Sequence, residues 1–162
     1  GRLHGRSVLD VGCGLGDFAG WCARQSIAPD YTGIDITPRM VELARECLPA
    51  HAFHDADLLA LPEPPAGRRW DYVLASGIFA KRQENPEGYL REAVARMYSL
   101  CAVAVAFNVL STWAPAAAEG REFHADPLRT LEFCRGLTPL AVLRHDYHPR
   151  DFTIYLYRER QA

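Results

Sequence analysis

Asp10 ends the apolar run Val8-Leu9-Asp10 and is followed by Val11-Gly12-Cys13-Gly14-Leu15-Gly16-Asp17. Glycines at alternate positions permit positive φ and let a ligand approach the backbone closely. An acid just ahead of them is well placed to attract a cation, such as the ammonium of a bound amino acid. The spacing is Gly-x-Gly-x-Gly, not the Gly-x-Gly-x-x-Gly that brings a helix N-terminus against a dinucleotide pyrophosphate. A nucleotide-like cofactor without a phosphate is favoured over NAD. Asp35 closes a second apolar run, and Asp57 follows a third, with Asp55 as the alternative in the same loop.

The elements that must position these groups alternate along the chain. Ser7 to Val11 reads as a strand, followed by a helix from about Leu15 to Gln25 with Phe18, Trp21 and Cys22 on one face. Tyr31 to Ile36 is a second strand. Thr37-Pro38 caps and opens a helix whose stripe is Met40, Val41, Ala44, Cys47 and Leu48. A third strand and its exit loop span His51 to Leu58, and the prolines at 62, 64 and 65 leave room only for a short helical turn. Trp70 to Ser76 is a fourth strand, Glu87 to Leu100 a helix and Cys101 to Val109 a fifth strand. Asp126-Pro127 starts a further helix, with Leu128, Leu131 and Cys134 facing inward before Gly136. A sixth strand, Ala141 to Asp146, and an alternating strand from Phe152 to Tyr157 predict a terminal antiparallel hairpin. Strands separated by helical crossovers imply a parallel sheet with helices on both faces.

The glycine turn with Asp35 and Asp57, on this alternation, resembles the class I S-adenosylmethionine-dependent methyltransferases. The resemblance implies a three-layer Rossmann-like sandwich with a mostly parallel seven-stranded sheet. It implies that Asp10, Gly12, Cys13 and Gly14 surround the methionine portion of S-adenosylmethionine, and that Asp35 accepts from the ribose hydroxyls. Ile36 would lie beside the adenine, Asp57 would receive the adenine amino group, and Leu58 and Ser76 would complete the cofactor site. After the fourth strand the chain has Ser76-Gly77-Ile78-Phe79 and lacks the Asn/Asp-Pro-Pro-aromatic sequence of many nucleic-acid amino methyltransferases. With Phe107-Asn108 and His145-Asp146-Tyr147, it is similar to a small bacterial stand-alone subgroup. The implied reaction is in-line displacement of methyl from the sulfonium onto an oxygen, nitrogen or carbon acceptor, releasing S-adenosylhomocysteine. Non-catalytic binding of the cofactor for regulation or assembly, and other chemistry on the sulfonium, are the competing functions.

Acceptor-side candidates are less legible. His145 is the best candidate base, since imidazole exchanges protons near neutral pH, with Asp146 or a backbone carbonyl to orient it; packing in the hairpin is its other reading. His124 is a weaker candidate. Phe79 and Tyr147 are candidate substrate contacts or core residues, and Asn108 either directs a substrate oxygen or amine or closes a turn. Trp113 lies in the irregular stretch 111–126, a candidate active-site cover, and either caps the site or packs in the loop.

Size and composition bound the rest. A chain of 162 residues fits one domain, so 1–162 is read as a single methyltransferase domain. A formal net charge of -2 and the absence of a basic run argue against nucleic acid and favour a small-molecule substrate. The longest apolar stretch, around Cys101 to Leu110, is too short to span a bilayer, so no membrane partner is expected. Five cysteines without a Cys-x-x-Cys pair fit a reducing cytoplasm, and their spacing to histidine predicts no metal site. A homodimer is compatible with these features.

Overall fold

In the computed structural model, residues 3–63, 69–81, 84–115 and 122–160 are described. Seven strands form one sheet: β1 (Ser7–Val11), β2 (Asp30–Asp35), β3 (Ala52–Asp55), β4 (Trp70–Ala75), β5 (Cys101–Leu110), β6 (Ala141–Arg144) and β7 (Asp151–Tyr157). Their order is β3-β2-β1-β4-β5-β7-β6. The first five are parallel, and β7 runs antiparallel to both β5 and β6. The strand order reverses between β1 and β4, and an open sheet collects ligands in the crevice outside the carboxyl ends at such a point.

Among the described residues four α-helices cover the sheet: α1 (Asp17–Arg24), α2 (Pro38–Cys47), α3 (Pro86–Leu100) and α4 (Pro127–Leu137). Leu9, Val11, Val105, Phe107, Phe152, Ile154 and Leu156 pack with Leu90, Val94 and Met97 of α3 and Cys134 of α4 in the larger core. A smaller core on the other face joins Cys13, Tyr31 and Phe53 to Ala19 of α1 and to Val41 and Ala44 of α2. The alternation along β7 produces this division: Phe152, Ile154 and Leu156 are fully buried, while Thr153, Tyr155 and Tyr157 on the opposite face are only partly so.

Several expected helix faces hold only in part. In α1 Cys22 is buried and Phe18 packs against the smaller core as expected, but Trp21 is 43% exposed and Ala19 takes the contact. The helix starts at Asp17, not Leu15, because Gly16 takes up a left-handed φ of 84° immediately before it. In α2, Met40 and Cys47 are exposed and Val41 and Ala44 carry the contact. In α4 the Asp126 carboxylate accepts from the backbone N–H groups of Leu128 and Arg129. Pro127, Thr130 and Cys134 face inward while Leu128 stands exposed. Gly136 lies within the helix, which ends one residue later. β6 stops at Arg144, so His145 and Asp146 belong to the connection rather than to the strand. A short 3-10 turn, Leu58–Ala60, precedes Pro62, while the expectation at positions 64 and 65 lies outside the described residues.

Candidate active site

The glycine turn is locked to the sheet by its backbone. Gly12 and Cys13 both donate to the Ile34 carbonyl oxygen, at 2.8 and 3.0 Å. Gly12 has a φ of 67°, and a Cβ there would meet Ile78 Cγ2 at 2.2 Å; Gly14, at 54°, faces open space. The Asp35 carboxylate ties the turn to β2: Gly14 N–H donates to Oδ2 at 3.0 Å and Thr37 N–H to Oδ1 at 2.9 Å. Both oxygens keep lone pairs for further donors. The Cys13 side chain is buried in the smaller core, and burial pushes its thiol up to about 12. Only the backbone of Cys13 therefore belongs to the turn's ligand-facing surface.

A first cavity of about 340 Å³ opens over this turn. Gly12, Asp35, Ile36, Asp57, Leu58 and Ser76 of the expected cofactor set line it. Ile36 is 71% exposed, an apolar side chain left bare at the mouth. Asp57 N-caps the short turn by accepting from Leu59 N–H at 2.9 Å, which leaves its second oxygen free. Asp55 ends β3 in register with Asp35 and does not line this cavity, whereas Asp57 does. Gly77, Ile78, Lys81 and Tyr89 complete the wall and were not anticipated. Gly77, with a φ of 80°, had the sequence signal of a glycine directly after a strand; the others had none.

A second cavity of about 310 Å³ lies beside the first, against the face of β4, β5 and β7 opposite α3 and α4. Asp10, Phe18, Leu74, Asn108, Tyr147 and Thr153 line it, and Ser76 borders both cavities. Asn108 and Thr153 are cross-strand neighbours, and Thr153 Oγ1 lies 2.7 Å from the Tyr147 hydroxyl. Asn108 Oδ1 accepts from Gly77 N–H at 2.9 Å, joining β5 to the turn after β4. Asp10 is 6% exposed and accepts from the Tyr31 hydroxyl at 2.8 Å. Burial outweighs this bond and, with repulsion from Asp17 and Asp35, pushes its carboxyl up to about 6.

Other candidates stand apart from both cavities. Phe79 is 2% exposed and packs edge-on against Phe107 in the core, so it offers no surface to a substrate. His145 stacks on Phe152 and lies 5.4 Å from Trp113, ring centre to ring centre. Its Nε2 is buried without a hydrogen-bond partner, and it lines neither cavity. In the connection after β6 the two side chains part: His145 stacks on Phe152 of the core face, whereas Tyr147 reaches Thr153 on the opposite face. Asp146 is engaged by Arg144, not by His145. Trp113 is 52% exposed and His124 partly buried; neither lines the two cavities.

The stretch 111–126 is anchored where it is described. Ser111 is fully buried and its N–H donates to the Arg150 carbonyl; Ala125 N–H donates to Leu110, and Phe123 N–H to Ala80. Residues 116–121 of the expected cover lie outside the described residues.

The comparisons with known proteins agree with this geometry. Residues 8–101 match the model of the methyltransferase domain family. A protein of Mycobacterium tuberculosis (strain ATCC 25618 / H37Rv), provisionally named methyltransferase Rv1506c, is 29% identical over 154 residues, covering 91% of this chain and 90% of that one. Trans-aconitate 2-methyltransferase of Afipia carboxidovorans is 38% identical over 78 residues, 48% of this chain, and the match spans only 29% of that relative. Among solved structures, magnesium protoporphyrin IX methyltransferase from Synechocystis PCC 6803 with bound S-adenosylhomocysteine superposes with a TM-score of 0.74 at 16% identity, covering 98% of this chain and 76% of that one. A glycine turn stapled to an acid-lined cavity at the sheet's reversal point, on a sheet closed by an antiparallel hairpin, thus belongs to a class I methyltransferase whose cofactor is S-adenosylmethionine.

Proposed function

We propose that this methyltransferase acts on a small molecule held in the second cavity, with the methyl donor in the first. The observation that carries this reading is the shared border at Ser76, which sets two cavities side by side at one edge of the sheet. When bound, S-adenosylmethionine supplies an electrophilic methyl carbon on a sulfonium. The chain's task is to hold and align. Asp35 receives the ribose hydroxyls on lone pairs not used by Gly14 and Thr37, Asp57 takes the adenine amino group on its free oxygen, and Ile36 covers the ring. Ionised Asp10, which lines the second cavity beside the shared border, attracts the ammonium where the methionine portion reaches past Ser76. Phe18 and Leu74 exclude water from the acceptor, while Asn108 and Tyr147 orient it, so that attack occurs in line with the bond to sulfur.

A base is required only for an acceptor atom that arrives protonated. His145 receives no such role in this reading, because its ring is enclosed by Trp113 and Phe152 away from both cavities. The small, mainly apolar second cavity supports a small-molecule acceptor over a macromolecular one. No described helix is long and apolar enough to cross a membrane. All five cysteines are free, which supports a reducing, cytoplasmic setting.

Calorimetry with S-adenosylhomocysteine and with NAD, followed by an acceptor screen read as multiple-turnover S-adenosylhomocysteine production, tests the reading. Binding of S-adenosylhomocysteine alone and a product heavier by one methyl group are expected. Binding of NAD alone, or methylation restricted to protein or nucleic acid, would overturn it.

A further inference from the structure

The Asn108 amide has a fixed orientation. Its Oδ1 accepts from Gly77 N–H, and the flipped amide would set two donors against each other. Nδ2 is therefore the end left over. Among the described residues it has no hydrogen-bond partner, and it is not one of the enclosed unpartnered atoms, so it is open to the cavity side. Across the β5–β7 ladder, Thr153 and Tyr147 share a single hydrogen bond between two hydroxyls. Whichever of them donates, one O–H of the pair remains free. The wall thus presents donors to a ligand, and its remaining lining is largely apolar: Phe18, Leu74 and Ala106. Asp10 is the only charged side chain among the described residues lining this cavity, and it is negative.

We infer that the acceptor is an uncharged molecule that presents a carbonyl oxygen to Asn108 Nδ2, with an apolar body lying between Phe18 and Leu74. This rests on reading the second cavity as the acceptor site and narrows it. A protonated amine has no lone pair with which to accept from Asn108 Nδ2. A carboxylate would find no cationic side chain among the described lining residues to offset its desolvation. Asn108 becomes a specificity residue that also braces the turn after β4, linking the acceptor's oxygen to the wall of the donor cavity.

Protein saturated with S-adenosylhomocysteine is titrated with three ring-matched phenols: 4-hydroxyacetophenone, 4-hydroxybenzoate and 4-ethylphenol. The ketone is expected to bind about tenfold more tightly than either of the others, the effect of one hydrogen bond to an otherwise unpaired donor. Asn108→Asp keeps an oxygen for Gly77 N–H and replaces the NH₂ donor, so it should abolish the ketone preference while S-adenosylhomocysteine affinity stays within about twofold. Thr153→Val, a second variant that leaves the β4 turn untouched, should weaken the ketone about threefold. Tightest binding of the carboxylate, no binding of the ketone, or ketone preference retained in Asn108→Asp would overturn the inference. Failure of S-adenosylhomocysteine to bind the wild-type protein would instead overturn the donor reading beneath it, which the same titration reports separately.

Discussion

The glycine turn after β1 and the β6–β7 connection project from the same edge of the sheet, yet they are built by opposite means. The turn is made of backbone: Gly12 and Cys13 donate to Ile34, Gly14 donates to Asp35, and the Cys13 side chain leaves for the core. The connection is made of side chains. Tyr147 reaches Thr153, Arg144 grips Asp146, His148 lies 2.9 Å from Asp151, and His145 wedges between Trp113 and Phe152. A backbone-built site tolerates few residue types and holds one ligand. A side-chain-built site can be rewritten residue by residue without moving the sheet, which suits it to setting acceptor choice.

The comparison is broken most severely at the turn itself. Gly12→Ala is expected to cost about 2 to 4 kcal/mol of stability in urea denaturation, combining a left-handed φ with a Cβ driven into Ile78. Gly14→Ala, with similar φ and open space, should cost only about 1 to 2 kcal/mol and serves as the control. Equal costs would show that Ile78 yields freely.

Asp35→Ala removes the acceptor of two backbone donors and is expected to weaken S-adenosylhomocysteine binding by about 10- to 100-fold in calorimetry. A change under about twofold would remove Asp35 from the donor site.

The next effect is on pH dependence. Asp10 has its carboxyl raised from 3.8 to about 6, so S-adenosylhomocysteine affinity should be level above neutrality and fall about tenfold by pH 5 as the carboxylate is lost. Folding responds in the opposite sense. The neutral form is favoured in the fold, so this group's stabilisation is fully present below 3.8 and is lost as pH rises through about 6. Tyr31→Phe removes the hydrogen bond that lowers this carboxyl, and the acid limb of binding should move to higher pH. An unmoved limb would assign it to another group.

His145→Ala should have the smallest effect. Its ring contacts suggest a loss of about 1 kcal/mol in stability, with turnover at saturating donor and acceptor close to wild type. A collapse of the chemical step with stability retained would restore His145 as a base and erase the division between the two regions.

The two regions also differed in how much of them could be read in advance. Asp10, Gly12, Asp35, Asp57 and Ser76 could be nominated from a local signature, a strand, a turn that favours glycine and an acid at a strand end, and each lines one of the two cavities. Asn108 and Tyr147 could be nominated but not oriented, and Thr153 was passed over as one residue of an alternating strand. Phe79, His145 and Trp113 were nominated on chemical type, but Phe79 packs on Phe107 in the core, and His145 sits against Phe152 and Trp113 outside both cavities. The helix faces were largely legible, and the misses, Trp21, Met40, Cys47 and Leu128, sit at their margins. In α4, Leu131 and Cys134 pack inward as their spacing implies, while Leu128 in the first turn stands exposed.

By itself the sequence determined the order of strands and helices, the glycine turn and the acids that follow β2 and β3, since φ restrictions, caps and apolar periodicity act over a few neighbouring residues. Only the tertiary structure decided which side chains share a cavity. That Asn108 meets Thr153, that Tyr147 reaches Thr153, and that His145 stacks on Phe152 depend on the register between β5 and β7 and on which side of the sheet each residue falls. Those are set by the packing of the whole core, and a shift of one residue in that register would have reversed every face.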